Sequence, residues 1–448
     1  MMEKPLYERL EEWSKTQPIS MHVPGHKNQT IGDLSFLTGR YDITEISGFD
    51  DLHHPEGLLK QSMANVNRHP DYDAFFLVNG TTSGILATIH AFQEQSGQVV
   101  MARNVHKSVF NALDLGAQQA VILPTEVDRR TAQYSAPNLR HLDLENGKLG
   151  VVTYPNYYGQ TFNIDETIKQ FHQHNIPVLV DEAHGAHFDL EGFPQSALNC
   201  NADFVVQSFH KTLPSLTMSS VLFIHKAAPQ REKVIALLGT FQSSSPSYLL
   251  MASLEAANAF YQSYESTHFF EQRAQVLATL RQSKLHVLEV DDPLKVLIAH
   301  PNLAGYELQK RMEELGIYVE LADESYVLWI LPLWHESDVF PFELLLQRIA
   351  QIEVPQEERE TEAVVSPKLY TGGGNYIPSS FEKDIWLPYH KAENRILAQH
   401  LILYPPGVPS LLKGEQVSLS MIELIDYWCQ KGFRIEGLSE GKIKVKDD

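Results

Sequence analysis

Ala74-Phe75-Phe76-Leu77-Val78-Asn79-Gly80-Thr81-Thr82-Ser83-Gly84 opens as an unbroken apolar run, turns through glycine and hydroxyl residues, and leads into the apolar-periodic stretch 85–93. A short continuous apolar run bounded by turn residues reads as a buried strand, and the following period reads as a helix. The same alternation recurs downstream. Strand candidates are Gln98–Met101, Gln119–Leu123, Gly150–Tyr154, Pro177–Asp181, Asp203–Gln207 and Ser220–Ile224, with helical stretches such as Val109–Gly116 and Asp165–His174 between them. Strands of this kind, interleaved with helices, indicate a mostly parallel sheet covered on both faces. The expected fold is α/β, with a large domain built on a mostly parallel seven-stranded sheet between helices.

Ligands of such sheets sit beyond the carboxyl ends of the strands. That rule gathers Asn79–Ser83, Arg103–Lys107, Tyr154–Gly159, Asp181–His184 and Ser208–Lys211 on one rim. Outward from this domain, residues 1–60 read as an N-terminal helix followed by polar loops. Leu6, Leu10 and Trp13 recur at helical spacing, suited to docking on the main body or a partner subunit. Residues 61–268 form the major domain. Residues 269–360 read as a smaller α+β domain, with helices 270–282 and 306–315 and strands 285–290, 296–299, 317–320 and 327–331. Residues 361–448 form a C-terminal subdomain, and 355–380 reads as a connection or flap over the site.

Composition narrows the function. The 448 residues carry a formal charge of −20, which argues against a nucleic-acid partner. Cys200 and Cys429 make no disulfide framework, and Met1–Trp13 lacks the apolar core of a secretory signal, so a reducing, cytoplasmic location is expected. No run reaches the roughly 18 apolar residues of a membrane span. His22, His26, His53 and His54 invite a metal, but their spacing matches no metal motif, and no metal site is expected.

The rim carries the chemistry. Thr81, Thr82 and Ser83 at a strand-to-helix junction would converge hydroxyls, free N–H groups and the helix dipole on a phosphate. A single N-cap needs only one of them. Asp181 ends an apolar strand, where an acid could cap a helix, ligate a metal or hold a pyridinium N–H, and the small Ala183 leaves room for a flat ring. His106 follows another strand end. Lys211, in Gln207-Ser208-Phe209-His210-Lys211-Thr212-Leu213, lies between two apolar runs, where an ammonium is costly unless paired or neutralised. A desolvated lysine can form a Schiff base with an aldehyde. Phosphate, ring face, ring nitrogen and aldehyde together are the needs of pyridoxal 5'-phosphate (PLP).

The chain resembles the bacterial ornithine/lysine/arginine decarboxylases, PLP enzymes of fold type I, related to aspartate aminotransferase. The motifs are Pro24-Gly25-His26-Lys27, Asn79-Gly80-Thr81-Thr82-Ser83, Arg103-Asn104-Val105-His106-Lys107-Ser108, Asp181-Glu182-Ala183-His184-Gly185-Ala186-His187, Ser208-Phe209-His210-Lys211, Ser243-Ser244-Ser245-Pro246-Ser247-Tyr248 and Tyr404-Pro405-Pro406-Gly407-Val408-Pro409. They span nearly the whole chain. The resemblance implies that Lys211 is the Schiff-base lysine, that Asp181 binds the ring nitrogen and that His106 stacks on the ring, with Ala183 and His184 beside it. It implies phosphate contacts from Thr81, Thr82, Ser83, Ser208 and His210. It implies that Ser243 and Ser244 reach a neighbouring subunit's cofactor, hence a homodimer with shared sites. The large relatives' receiver-like domain and their Pro-Arg-Glu motif are not expected here, the latter replaced by Lys368–Asn375.

The function so implied is decarboxylation of arginine, lysine or ornithine, with Lys211 or His210 returning a proton to Cα. The N-terminal loops and the 365–380 segment would close the site. Asp50, Asp51 and Glu56 are candidate partners for the substrate's distal cation. An aminotransferase or carbon–sulfur lyase on the same scaffold, with Arg395 as a carboxylate clamp, or a non-catalytic PLP-binding protein, are the competing readings.

Overall fold

The computed structural model describes residues 4–140, 144–355, 369–378, 383–404 and 409–447. The central sheet has eight strands, not seven. Across it run Gly374–Tyr376, Ala120–Ile122, Gln98–Met101, Gly147–Thr153, Val178–Asp181, Phe204–Gln207, Ser220–His225 and Tyr72–Leu77. All seven strands legible in the sequence are present. The eighth, Gly374–Tyr376, pairs antiparallel with Ala120–Ile122 at the edge, in a segment read as a connection or flap. A three-residue Gly-Asn-Tyr strand has no apolar period to reveal it, and its pairing is decided by docking. The rest of that segment, 356–368 and 379–382, lies outside the described residues, as do Pro405–Val408 of the proline-rich turn.

Ser220–His225 runs antiparallel to both its neighbours, so six of the eight strands, all but it and Gly374–Tyr376, share one direction. Their carboxyl ends therefore lie along one rim. The strands Val178–Asp181 and Phe204–Gln207 are buried at every residue, as expected of a sheet covered on both faces. Helices Thr81–Ala91, Lys107–Leu115 and Ile164–Gln173 occupy the positions their periodicity suggested, and Arg231–Phe241 and Phe342–Ala350 add two that the reading passed over.

The strands His286–Glu289, Lys295–Ala299, Val327–Ile330 and Leu321–Ala322 form a separate antiparallel sheet. Beside it, Ile19–Met21 pairs in parallel with Ile317–Val319. That pairing ties the N-terminal segment to the small sheet's domain. The N-terminal helix, Pro5–Ser14, contacts the body through Trp13, whose ring meets Tyr318 edge-on at 5.8 Å. Leu6, Tyr7 and Leu10 are exposed.

The C-terminal part has its own core of Leu397, Leu401, Leu411, Met421, Ile425, Trp428 and Val445. It docks on the sheet edge through a buried ion pair, Arg103 to Glu415 at 2.6 Å. Breaking such a pair on one side costs about 3–5 kcal/mol, because a buried charge is left uncompensated. Among the described residues no helix is long and apolar enough to cross a membrane.

Candidate active site

The phosphate end begins at Gly80, whose φ of +74° is a left-handed conformation that glycine adopts without a Cβ penalty. Helix Thr81–Ala91 starts immediately after it and has no side-chain cap. Capping would have spent a hydroxyl on the first-turn N–H groups. Instead Ser83 Oγ donates back to the Gly80 carbonyl at 2.9 Å, and Ser208 Oγ reaches Thr81 Oγ1 at 3.4 Å. An uncapped helix start flanked by three hydroxyl residues is a ready anion site.

Asp181 ends its strand opposite Thr153 and Val206, and its Oδ1 accepts the Ala183 N–H at 3.2 Å. This bond bends the chain so that His184 turns back to the rim. There His184 Nε2 lies 3.1 Å from Lys211 Nζ, and the Tyr157 ring meets the His184 ring edge-on at 4.7 Å. His184 Nδ1 is buried with no partner among the described residues. Lys211 belongs to a single helical turn, Phe209–Thr212, where the sequence suggested only a turn. His106 caps the helix Lys107–Leu115, its Nδ1 accepting from Ser108 N and lying 2.9 Å from Ser108 Oγ. His210 Nδ1 lies 3.0 Å from the Ser219 carbonyl.

The site is completed from far along the chain. Because Met21 pairs with Val319, the following residues run beside Glu320, and Glu320 Oε2 accepts the Val23 N–H at 2.9 Å. Glu320 Oε1 also accepts a short hydrogen bond from the Tyr157 hydroxyl. The loop then packs on the Lys211 turn: Gly25 N donates to the His210 carbonyl at 2.7 Å. A Cβ on Gly25 would sit 2.5 Å from the Leu213 carbonyl oxygen, so only glycine permits this approach. Lys27, fully buried, donates to the His22 and Ile330 carbonyls. Lys295, also buried, donates to the Tyr157 carbonyl at 2.9 Å.

Burial sets the electrostatics. It lowers the Lys211 ammonium below its ordinary range, against the pull of Asp181 and Glu320. It lowers Lys27 to about 7 against Glu320, and Lys295 to about 8 against Asp292. His184 is pushed well below the usual imidazole range by burial and then by Lys211 and Lys295, so it is neutral. Burial also lowers His106, opposed by Asp181, and brings His210 to about 4. The site gathers buried imidazoles and amines, each lowered by burial, around Asp181 and Glu320.

Other expected residues lie elsewhere. Asp50 accepts the N–H groups of Glu56, Gly57 and Leu59 and so pins the loop at the start of helix Leu58–Val66; Asp51 accepts from His53 N and pairs with His54. Glu56 is exposed. Those acids build the loop, whereas Glu320 is the second acid acting on Lys211. Ser243 and Ser244 are exposed; Ser243 meets Asn79 and His53, and no described hydrogen bond joins either serine to Asp181, His184 or Lys211. Arg395 donates to the Lys446 carbonyl within the C-terminal subdomain. Glu320 escaped the sequence reading because its relevance depends on strand pairing across some three hundred residues. Tyr157 sat on the predicted rim but carried no chemical signature of its own.

The profile of "Orn/Lys/Arg decarboxylase, major domain" matches residues 4–297. The chain belongs to this family. It is an amino-acid decarboxylase, and its fold is that of the PLP fold type I enzymes. The decarboxylase is 35% identical to the uncharacterized protein YaaO of Bacillus subtilis (strain 168), over 100% of this chain and 98% of that one. It is 28% identical to the arginine decarboxylase of the same organism, over 99% and 97% of the two chains. In structure it is similar to lysine decarboxylase A from Pseudomonas aeruginosa, with a TM-score of 0.70 at 16% identity, over 91% of this chain and 74% of that one. The fold family implies PLP. The residues of the decarboxylase fit it: an uncapped helix start for a phosphate, an acid at a strand end, an unpartnered buried imidazole nitrogen and a desolvated amine.

Proposed function

We propose that the protein decarboxylates a basic amino acid with PLP held on this rim. The observation that carries the reading is the buried cluster Asp181–His184–Lys211, joined through Tyr157 to Glu320. Thr81, Thr82, Ser83 and Ser208 would hold the phosphate, Asp181 the ring nitrogen, His106 and Ala183 the ring faces, and Lys211 the aldehyde carbon. When bound, PLP supplies the sink for the electron pair released as CO2 leaves. The chain's own residues do the rest. Asp181 would keep positive charge on the ring nitrogen. Lys211, whose burial favours the neutral amine, would take up a proton there and, as the ammonium, give it to Cα, while His184 Nε2 at 3.1 Å orients its Nζ. His210, held by Ser219, positions the turn rather than handling the proton.

Glu320 is the acid we assign to the substrate's distal cation. Its oxygens each already accept one hydrogen bond, from Tyr157 and Val23, which fixes the carboxylate and leaves lone pairs for an ammonium or guanidinium. Arginine is the first substrate to test, because the near-full-length relatives at 27–28% identity are named arginine decarboxylases. Purified holo-protein given arginine, lysine and ornithine should release CO2 with agmatine or a diamine. Keto acid without CO2 from all three would overturn the reading. Glu320→Gln should raise KM for the basic substrate by about 10–100-fold, the scale of a charge-assisted hydrogen bond, with a smaller change in kcat. An unchanged KM would remove Glu320 from the substrate site.

A homodimer completes this reading. Phe36, Tyr41, Ile46, Phe49 and Leu58 are exposed around one apolar groove closed by Tyr248, whose hydroxyl bonds the Asp50 carbonyl. The groove adjoins exposed Ser243–Ser245 and, through Asn79, the phosphate cradle, so a second copy seated there would face the site. Sedimentation at micromolar concentration should give twice the 50.8 kDa chain mass. A monomer with full activity would refute the shared-site arrangement.

A further inference from the structure

The segment that carries His106 is gripped along its length by the C-terminal subdomain. Just before it, Arg103 is fully buried and directs its guanidinium into that subdomain. Its Nη2 and Nη1 reach Glu415 Oε1 and Oε2 at 2.6 and 3.1 Å as a two-pronged fork. Its Nε and Nη2 donate to the Gly372 carbonyl, its Nη1 lies 3.4 Å from the Ser410 carbonyl, and the Tyr370 ring lies 4.6 Å from its central carbon. Glu415 is fixed in turn by the Leu412 N–H at 3.1 Å. In the middle of the helix that His106 caps, Phe110 packs against the rings of Tyr376 and His400. At its far end Asp114 accepts from the Tyr376 hydroxyl and the Lys413 ammonium, both at 2.7 Å.

A strand-end turn is ordinarily the softest part of an α/β rim, and a ring-stacking side chain on it needs placement within about 0.5 Å. We propose that Glu415, acting through Arg103, is a positioning residue for His106, so that the C-terminal subdomain sets how tightly the rim holds PLP. The planar, bidentate fork suits the task because it fixes direction as well as distance. Two residues separate Arg103 from His106, and of these the Asn104 carbonyl is anchored by Thr153 Oγ1 at 3.3 Å. The turn is thus pinned on one side by the sheet and on the other by the subdomain. The inference rests on the assignment of His106 to the PLP ring.

The test is a double-mutant cycle read by PLP affinity. Apo-protein is titrated with PLP and followed by visible absorbance and circular dichroism, for wild type, Glu415→Gln, His106→Ala and the double variant. Glu415→Gln should weaken PLP binding about tenfold and alter the cofactor's visible dichroism. In the His106→Ala background the same change should add less than about twofold, since the residue it positions is gone. Tyr370→Leu, which strips the ring from Arg103 without unpairing a charge, should act in the same direction more weakly, and it serves if Glu415→Gln does not fold. Lys413→Met, which loosens the far end of the helix, should leave PLP affinity within about twofold. Wild-type affinity and dichroism in folded Glu415→Gln or Tyr370→Leu, additive effects in the cycle, or an equal loss in Lys413→Met would each overturn the positioning role. Unchanged PLP affinity in His106→Ala would instead overturn the site assignment beneath it.

Discussion

Lys211→Ala is expected to lower turnover by at least about 10³-fold, because the proposed role of that side chain is both to engage the cofactor's aldehyde and to carry the proton to Cα. The fold should survive. Lys211 lies on a four-residue helical turn whose backbone is held by Gly25 N to the His210 carbonyl and by Lys211 N to the Ser208 carbonyl, neither of which uses the side chain. Its ammonium is also desolvated, so its loss removes a group that burial disfavours. Borohydride treatment of the wild-type holo-protein should attach the cofactor's mass to the chain at Lys211, and the variant should show no such attachment. A variant that keeps its visible absorption band and its turnover would remove Lys211 from the role. In that case buried Lys27 and Lys295 would be the amines to examine next.

Asp181→Asn carries the second large effect. The side chain keeps its shape and can still accept the Ala183 N–H, so the turn that presents His184 should persist. The full negative charge opposite the ring nitrogen is lost. A preorganised charge in a buried site contributes roughly 10²–10³-fold to rate. The expected outcome is a fall of that order in kcat with KM for the amino acid changed far less, since the proposed role of Asp181 is toward the cofactor and not the substrate's distal end. His106 should respond as well. Asp181 is the group that opposes the lowering of its imidazole by burial, so removing the charge should depress its titration further, visible by NMR of the histidine ring protons. Turnover within tenfold of wild type, with an unmoved His106 titration, would place the ring nitrogen elsewhere.

Much of this site was readable from the chain because its parts sit at the ends of strands that announce themselves. Val178–Asp181 and Phe204–Gln207 are buried on both faces, so their residues are continuously apolar and their termini are sharp. A polar residue just past such an end must lie on the rim, whatever the packing above it. Asp181, His184, Ser208, Lys211, His106 and the Gly80–Ser83 turn were all found by that rule. Asp50 shows where the rule has no purchase. In a loop, an acid beside histidines reads as a ligand, yet its carboxylate is consumed by three N–H groups at a helix start, a fate that depends on how the loop folds back.

Local periodicity thus determined the α/β class, seven of the eight sheet strands and the side chains at their carboxyl ends, since strand burial and strand direction are written in consecutive residues. Tertiary structure alone decided the rest. The pairing of Ile19–Met21 with Ile317–Val319 placed Glu320 beside the Pro24–Lys27 loop and within the field of Lys211. The docking of Gly374–Tyr376 on the sheet edge made an eighth strand and locked Arg103 to Glu415 behind His106. Both join segments hundreds of residues apart, and neither leaves a local trace, because hydrogen-bonding between backbones and the burial of an ion pair depend on which surfaces meet.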